Sequence, residues 1–230
     1  GFVETRHNAR ELTPAERKAY ARRMDALRAQ HDAEQLARQA EAATQAAIRW
    51  SSSKPATEHP YLASKGVQSH GLRIDGQSLL IPLRDSKGTL QSLQTIGPDG
   101  DKRFLPGGRV KGCYHSIGKP AGRLVIAEGY ATAATVHEDT GHAVAVAFNS
   151  GNLLPVAQTL RAKYPEAVLV LAADDDWQTP GNPGRTAATE AARAVSGLLA
   201  VPDFTGLQRG HKDTDFNDLR RLARQVEVCQ

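Results

Sequence analysis

Cysteine is scarce in this chain. The two present in 230 residues, Cys113 and Cys229, lie too far apart for a C-x-x-C metal clip and are too few for a disulfide scaffold, which points to a reducing, cytoplasmic setting. Long apolar runs are missing as well. The longest, residues 167–173 and 143–148, fall far short of the roughly 20 residues that a membrane-spanning helix needs. No basic, apolar, small-residue signal segment opens the chain, and Gly1 stands where a Met would, so the sequence reads as a piece of a longer protein. Internal repeats at solenoid periods are absent too. What is there is a 40% apolar composition, enough to pack one sizeable domain or two small ones.

Charge is unevenly spread. The formal net charge is +4 and the pI about 9.2. Residues 1–50 carry a net +2, residues 51–118 a net +4 and residues 119–230 a net −2. A basic middle beside an acidic carboxyl half suits a protein that holds a polyanion on one lobe and cations on the other; ordinary surface scatter gives the same figures.

Thr13, Pro14 and Glu16 spell a helix start, with a hydroxyl to cap, a proline for the first turn and a carboxylate to reach back. The run to Trp50 is rich in Ala, Arg, Gln and Glu with a narrow apolar stripe, predicting a helical arm, broken near His31. Residues 51–60 hold two prolines and no periodicity, so they read as a connector. Short strands are expected at 79–83, 89–96, 103–105 and 113–117, separated by Asp-Ser-Lys-Gly, Gly-Pro-Asp-Gly and Pro-Gly-Gly turns, as a small antiparallel region. From residue 119 strands at 124–127, 143–148, 168–173 and 198–201 alternate with helices. Continuous apolar strands in such an alternation predict a mainly parallel sheet with helices on both faces. The division expected is an arm and linker over 1–58, a basic α+β subdomain over 59–118 and an α/β domain over 119–230.

In an open parallel sheet, ligands bind beyond the carboxyl ends of the strands. Those ends are polar here: Glu128-Gly129, Asn149-Ser150-Gly151-Asn152, Asp174-Asp175-Asp176, and Lys212-Asp213-Thr214-Asp215 before the last helix. Carboxylates brought to one rim repel, and a raised pKa or a bound divalent cation relieves them; hard oxygens suit Mg²⁺ or Mn²⁺. Singly, each of these is also what an ordinary turn or solvated loop looks like. Receiver domains want an acidic pair after the first strand, and aspartate-nucleophile phosphatases want D-x-D there; Glu first and D-x-D third disfavours both.

The run Leu-Val-Ile-Ala-Glu128-Gly129, followed by Val-Leu-Val-Leu-Ala-Ala-Asp174-Asp175-Asp176, resembles the TOPRIM domain of primases, topoisomerases and some nucleases. Glu128-Gly-Tyr-Ala-Thr-Ala, Ala147-Phe-Asn-Ser-Gly-Asn, Asn182-Pro-Gly184 and Asp215-Phe-Asn-Asp218-Leu resemble the primase-like proteins of conjugative plasmids, integrative elements and satellite phages. Lys212-Asp213-Thr214-Asp215 resembles the K-D-P-D signature of replicative primases, with threonine for proline. Upstream, Lys102-Arg103-Phe104-Leu105 and Lys111-Gly112-Cys113-Tyr114 are similar to the basic subdomain that precedes TOPRIM in those enzymes. The likeness covers roughly residues 59–220; a zinc ribbon has no ligand set here.

The resemblance implies a TOPRIM-like α/β fold and a DNA-dependent primase. Its chemistry would be nucleotidyl transfer, with two metal ions about 3.5 to 4 Å apart serving the attacking hydroxyl and the triphosphate. Glu128, Asp174, Asp176, Asp213 and Asp215 would hold Mg²⁺ or Mn²⁺, Glu128 doubling as general base. Lys102 and Lys111 would face nucleotide phosphates or template, with Arg103, Arg109, Gly129 and Asn149 in the nucleotide or nucleic-acid contact. The partners implied are a single-stranded DNA template, ribonucleoside triphosphates and a helicase or relaxase domain of the longer protein. Two alternatives stay open: a metal-dependent TOPRIM nuclease or nickase, which needs no triphosphate cradle, and a non-catalytic nucleic-acid binding module, which needs no carboxylates. Trp177 and Trp50 have faces that can stack on bases, Trp50 reading better as packing. The histidines carry no pattern.

Overall fold

The computed structural model describes residues 13–228; Cys229 lies outside them. Helix α1, Pro14–Ser52, starts with the expected capping box: Glu16 N–H donates to Thr13 Oγ1 at 3.3 Å and Thr13 N–H donates to the Glu16 carboxylate at 2.8 Å. It runs unbroken past His31, contrary to the break expected there, because no proline or glycine interrupts a run of strong helix formers. Only its last turns pack, with Ala46 buried against Leu80 and Leu93 beside Trp50.

The connector expected at 51–60 is more ordered than its composition implies. It holds the end of α1, strand β1 (Lys54–Pro55) and the start of helix α2 (Pro60–Lys65). His59 caps that helix, its Nδ1 accepting the Tyr61 N–H at 3.2 Å. Strands β2 (Arg73–Asp75), β3 (Ser78–Arg84), β4 (Leu90–Ile96) and β5 (Lys102–Phe104) follow, and β1 to β5 form one antiparallel sheet in chain order. The β3–β4 hairpin turns on Gly88 at φ +85°, with the Asp85 carboxylate accepting from the Lys87 and Thr89 amides.

The second sheet begins with β6 (His115–Ile117) and β7 (Arg123–Ala127), then helix α3 (Tyr130–Thr140) and strand β8 (Ala143–Val146). A 3₁₀ turn at Ser150–Asn152 leads into helix α4 (Leu153–Lys163), strand β9 (Val168–Ala172), helix α5 (Pro183–Ala194), strand β10 (Leu198–Ala200) and helix α6 (Phe216–Val228). The spatial order is β10-β9-β7-β8-β6, parallel except for β6. That exception corrects the sequence reading, which put 113–117 with the antiparallel strands. Tyr114 bonds Arg84 in β3 through both backbone groups, and the next three residues pair with β8, so this segment stitches one sheet to the other.

Period-two alternation splits the sheet's side chains. Leu124, Ile126, Leu169 and Leu171 face α4 and α5, while Val125, Ala127, Val144 and Val146 face α3 and share one apolar core with Leu79, Ile81, Leu83 and Ile96 of the first sheet. Helices therefore cover both faces, as a parallel sheet requires, and the two sheets are locked in a fixed relation. No described helix is long and apolar enough to cross a membrane.

Candidate active site

Strands β7 and β9 are parallel neighbours with Ala127 opposite Ala172, so Glu128, one residue on, and Asp174, two residues on, leave the sheet at the same carboxyl edge. Asp215 arrives from the loop before α6, where Thr132 of α3 donates to its Oδ2 at 2.8 Å and the Asp218 N–H to its Oδ1 at 2.8 Å. Asp176 accepts the Gly184 N–H at 2.9 Å. Gly184 has no room for a side chain: a Cβ there would stand 2.8 Å from both the Asp174 carbonyl and the Asp176 carboxylate.

The electrostatics mark these four carboxylates as one cluster. Burial and then the charges of Asp215, Glu128 and Asp176 push Asp174 from 3.8 up to about 8. Glu128 is raised by burial and by Asp176, against the opposing pull of Lys102 and the Ser150 N–H. Lys102, the first residue of β5, comes from the other sheet. Its side chain is exposed; desolvation by the surrounding protein and neighbouring Lys65 lower its ammonium pKa, and Asp215, Asp174 and Glu128 raise it. Its Nζ lies 5.8 Å from the centroid of the Tyr61 ring, whose hydroxyl is pushed up by burial and by Asp215.

The remaining expected site residues are dispersed. Asp213 turns from the cluster to pair with Arg221 and accept the Gly210 N–H at 2.7 Å, a loop-holding arrangement. Asp175 is held between Arg209 and Asn182; although burial opposes it, these partners at 2.8 Å and 2.7 Å hold its carboxyl below the ordinary range. Arg103 points to the opposite side of β5 from Lys102 and meets Asp101 at 3.8 Å on the surface. Arg109 donates to Cys113 Sγ at 3.4 Å, and Lys111 is exposed. Gly129 is the N-cap of α3, at φ −101°, where a Cβ would meet only Thr132 Oγ1 at 3.8 Å; packing does not demand glycine there. Asn149 lies at the same edge, after Phe148, whose left-handed φ of +75° is fixed by its N–H bonding the Glu128 carbonyl at 2.7 Å.

Sequence reasoning missed Lys65, Tyr61 and Thr132. The first two sit on α2, within and just after a stretch whose prolines disguise it, and nothing local signals that α2 reaches a strand end far along the chain. Asn217 makes that link, donating to the Lys65 carbonyl at 2.7 Å and to Thr135 at 2.9 Å.

Hard carboxylate oxygens are the right donors for Mg²⁺ or Mn²⁺, and Asp174 Oδ1 is buried with no hydrogen-bond partner, as a ligand atom awaiting a cation would be. Among the described residues no three His, Cys, Asp or Glu side chains are placed so that together they could hold a metal ion. The donors thus fit the ion in kind and in the one orphaned oxygen.

Comparison with known proteins bears on this site. Residues 123–224 match the Toprim domain. Over 207 residues the chain is 47% identical to a protein described as DNA primase TraC from Escherichia coli, a match spanning 84% of this chain and 19% of that protein. A second Escherichia coli protein of the same description is 45% identical over 157 residues, 63% of this chain and 11% of its own. The chain therefore spans a fifth or less of the length of these curated relatives. Among solved structures, the primase fragment of the bacteriophage T7 primase–helicase protein superposes with a TM-score of 0.56 at 17% identity, covering 78% of this chain and 76% of that one. At that identity the likeness speaks for the fold alone.

Proposed function

We propose that this chain is the catalytic core of a DNA-dependent primase that makes short RNA primers on single-stranded DNA, in the cytoplasm, as one part of a longer protein of a mobile element. The observation that carries the reading is Lys102: a cation from the antiparallel sheet set against Glu128, Asp174 and Asp215 of the parallel one. A cleft with a lysine on one wall and carboxylates on the other is what a triphosphate and its metal ions require; a nuclease has no need of the first wall. The Toprim match and the two TraC relatives support the same reading.

In this reading residues 59–118 form the basic wall and residues 119–230 the Toprim domain, with 1–58 as an arm. Glu128, Asp174, Asp176 and Asp215 would hold Mg²⁺ or Mn²⁺, which supplies charge to steady a triphosphate and to acidify the attacking hydroxyl. Asp213, tied to Arg221, positions the loop that carries Asp215. Lys102, exposed at the start of β5, binds a phosphate oxygen through its ammonium. Lys65 adds charge behind it. The open amides at Gly129, at the positive end of α3, approach phosphate closely, and Asn149 offers an amide at the same edge. Glu128, its pKa raised, is able to take a proton from the attacking hydroxyl. Lys111, Arg103 and Arg109 belong to the outer path of the template, and helicase or relaxase activity to other parts of the longer protein.

The test is incubation of the purified chain with single-stranded DNA, labelled ribonucleotides and Mg²⁺ or Mn²⁺. Short RNA products that vanish in D174N support the reading; DNA cutting without synthesis gives the site to a nuclease.

A further inference from the structure

The loop that leaves the carboxylate cluster carries an exposed aromatic group that the proposed chemistry does not use. Trp177 directly follows Asp176 and is 46% exposed. Its ring lies nearly parallel to that of His211, with centroids 6.1 Å apart and planes at 18°. That is an offset stack. His211 is itself exposed and belongs to the loop that leads to Asp215.

The pair is held rigidly although it stands in water. Arg209 lies with its guanidinium carbon 5.0 Å from the Trp177 centroid and 4.2 Å from that of buried Phe204. The same guanidinium donates to the Asp175 carboxylate at 2.8 Å, to the Asp175 carbonyl at 2.6 Å and to the Asp213 carbonyl at 2.7 Å. One arginine thus ties the aromatic ledge to the two loops that carry Asp174, Asp176 and Asp215. A tryptophan needed only for packing would be turned inward, and a solvated loop has no need of such an anchor.

From this geometry we propose that Trp177 and His211 form a stacking platform for an unpaired nucleobase of a single DNA strand, fixed at a set distance from the metal-binding carboxylates. Flat π faces, partial exposure and a neighbouring Lys212 for the backbone are what base stacking on a single strand requires. The inference rests on the primase reading and deepens it: the ledge sets where the strand lies as it leaves the cleft.

The experiment uses the full chain and its two tryptophans. In W50F only Trp177 remains, and titration with single-stranded oligo-dT should quench its fluorescence, whereas ATP without metal should not. W177A should weaken oligonucleotide binding about 5- to 100-fold, the range of stacking on one base; W177F should keep most of the affinity, and H211A should lose part of it. The salt dependence should keep its slope, because no phosphate contact is lost. Unaltered binding in both W177A and H211A with thermal melts like wild type, or quenching by ATP and not by the oligonucleotide, overturns the platform. If the wild type makes primers in that event, the primase reading stands without it; a wild type that binds no single strand removes both.

Discussion

Replacing Asp174 by asparagine keeps the shape of the side chain and removes its charge from the cluster. In the folded chain Asp174 titrates at about 8 instead of 3.8, so between those values the native state holds a proton that the unfolded chain releases. Stability from this group is present below pH 3.8 and is lost as pH rises through about 8, the reverse of the usual carboxylate. Each pH unit in that window costs up to about 1.4 kcal/mol. Water at the partly open rim and protons shared with Glu128, Asp176 and Asp215 reduce the total to about 2 to 3 kcal/mol. D174N should therefore match the wild type near pH 4 and exceed its unfolding free energy by that amount near pH 8, in urea melts without divalent metal. Adding Mg²⁺ at pH 8 should stabilise the wild type and leave D174N nearly unchanged. A D174N protein equal to or weaker than the wild type at pH 8 would refute the claim that these carboxylates strain against one another.

Lys102 is set against the carboxylates of the other sheet, whereas among the described residues no such partner marks Lys111. K102A should weaken nucleic-acid binding and primer synthesis and lower the log–log salt slope by about one; K111A should do much less in the same filter-binding series. His115 is buried with its Nε2 unpartnered, and burial, Arg84 and His70 hold it at about 3 against 6.5. Its folded pKa lies below the unfolded one, so stability is complete above pH 6.5 and lost as pH falls toward 3; H115L should flatten the acid limb of the unfolding curve by up to about 1.4 kcal/mol per pH unit. Asn152 accepts the Gly112 N–H at 2.8 Å and donates to the carbonyls of Cys113 at 3.0 Å and Ala147 at 2.8 Å. N152A, which orphans these backbone groups, should cost about 2 to 4 kcal/mol in a denaturant melt.

The parallel sheet and its acidic edge were legible because burial on both faces writes β7, β8 and β9 as unbroken apolar runs, and a strand end is marked by the first polar residue after each. Glu128 and Asp174 are such residues. Asp215 and Asp213 were indistinguishable, since both lie in one polar loop and only the partner chosen by Arg221 tells them apart. The helix α2 was hidden by its prolines, one of which starts it. Strand β6 was assigned to the wrong sheet because three residues hold no record of their partner: Val146 and Arg84 compete for neighbouring positions, and tertiary contact decides. Lys65 and Tyr61 reach the cluster through such contacts alone, so no local pattern announces them.

In the proposed function the lysine of one sheet and the carboxylates of the other form a single nucleotidyl-transfer site. It is tested most directly by primer synthesis on single-stranded DNA with labelled ribonucleotides and Mg²⁺ or Mn²⁺, run in parallel for wild type, K102A and D174N. Short RNA products are expected from the wild type, strongly reduced synthesis from K102A and none from D174N, with both variants folded. Normal synthesis by D174N, or a wild type that only cuts DNA, would contradict it.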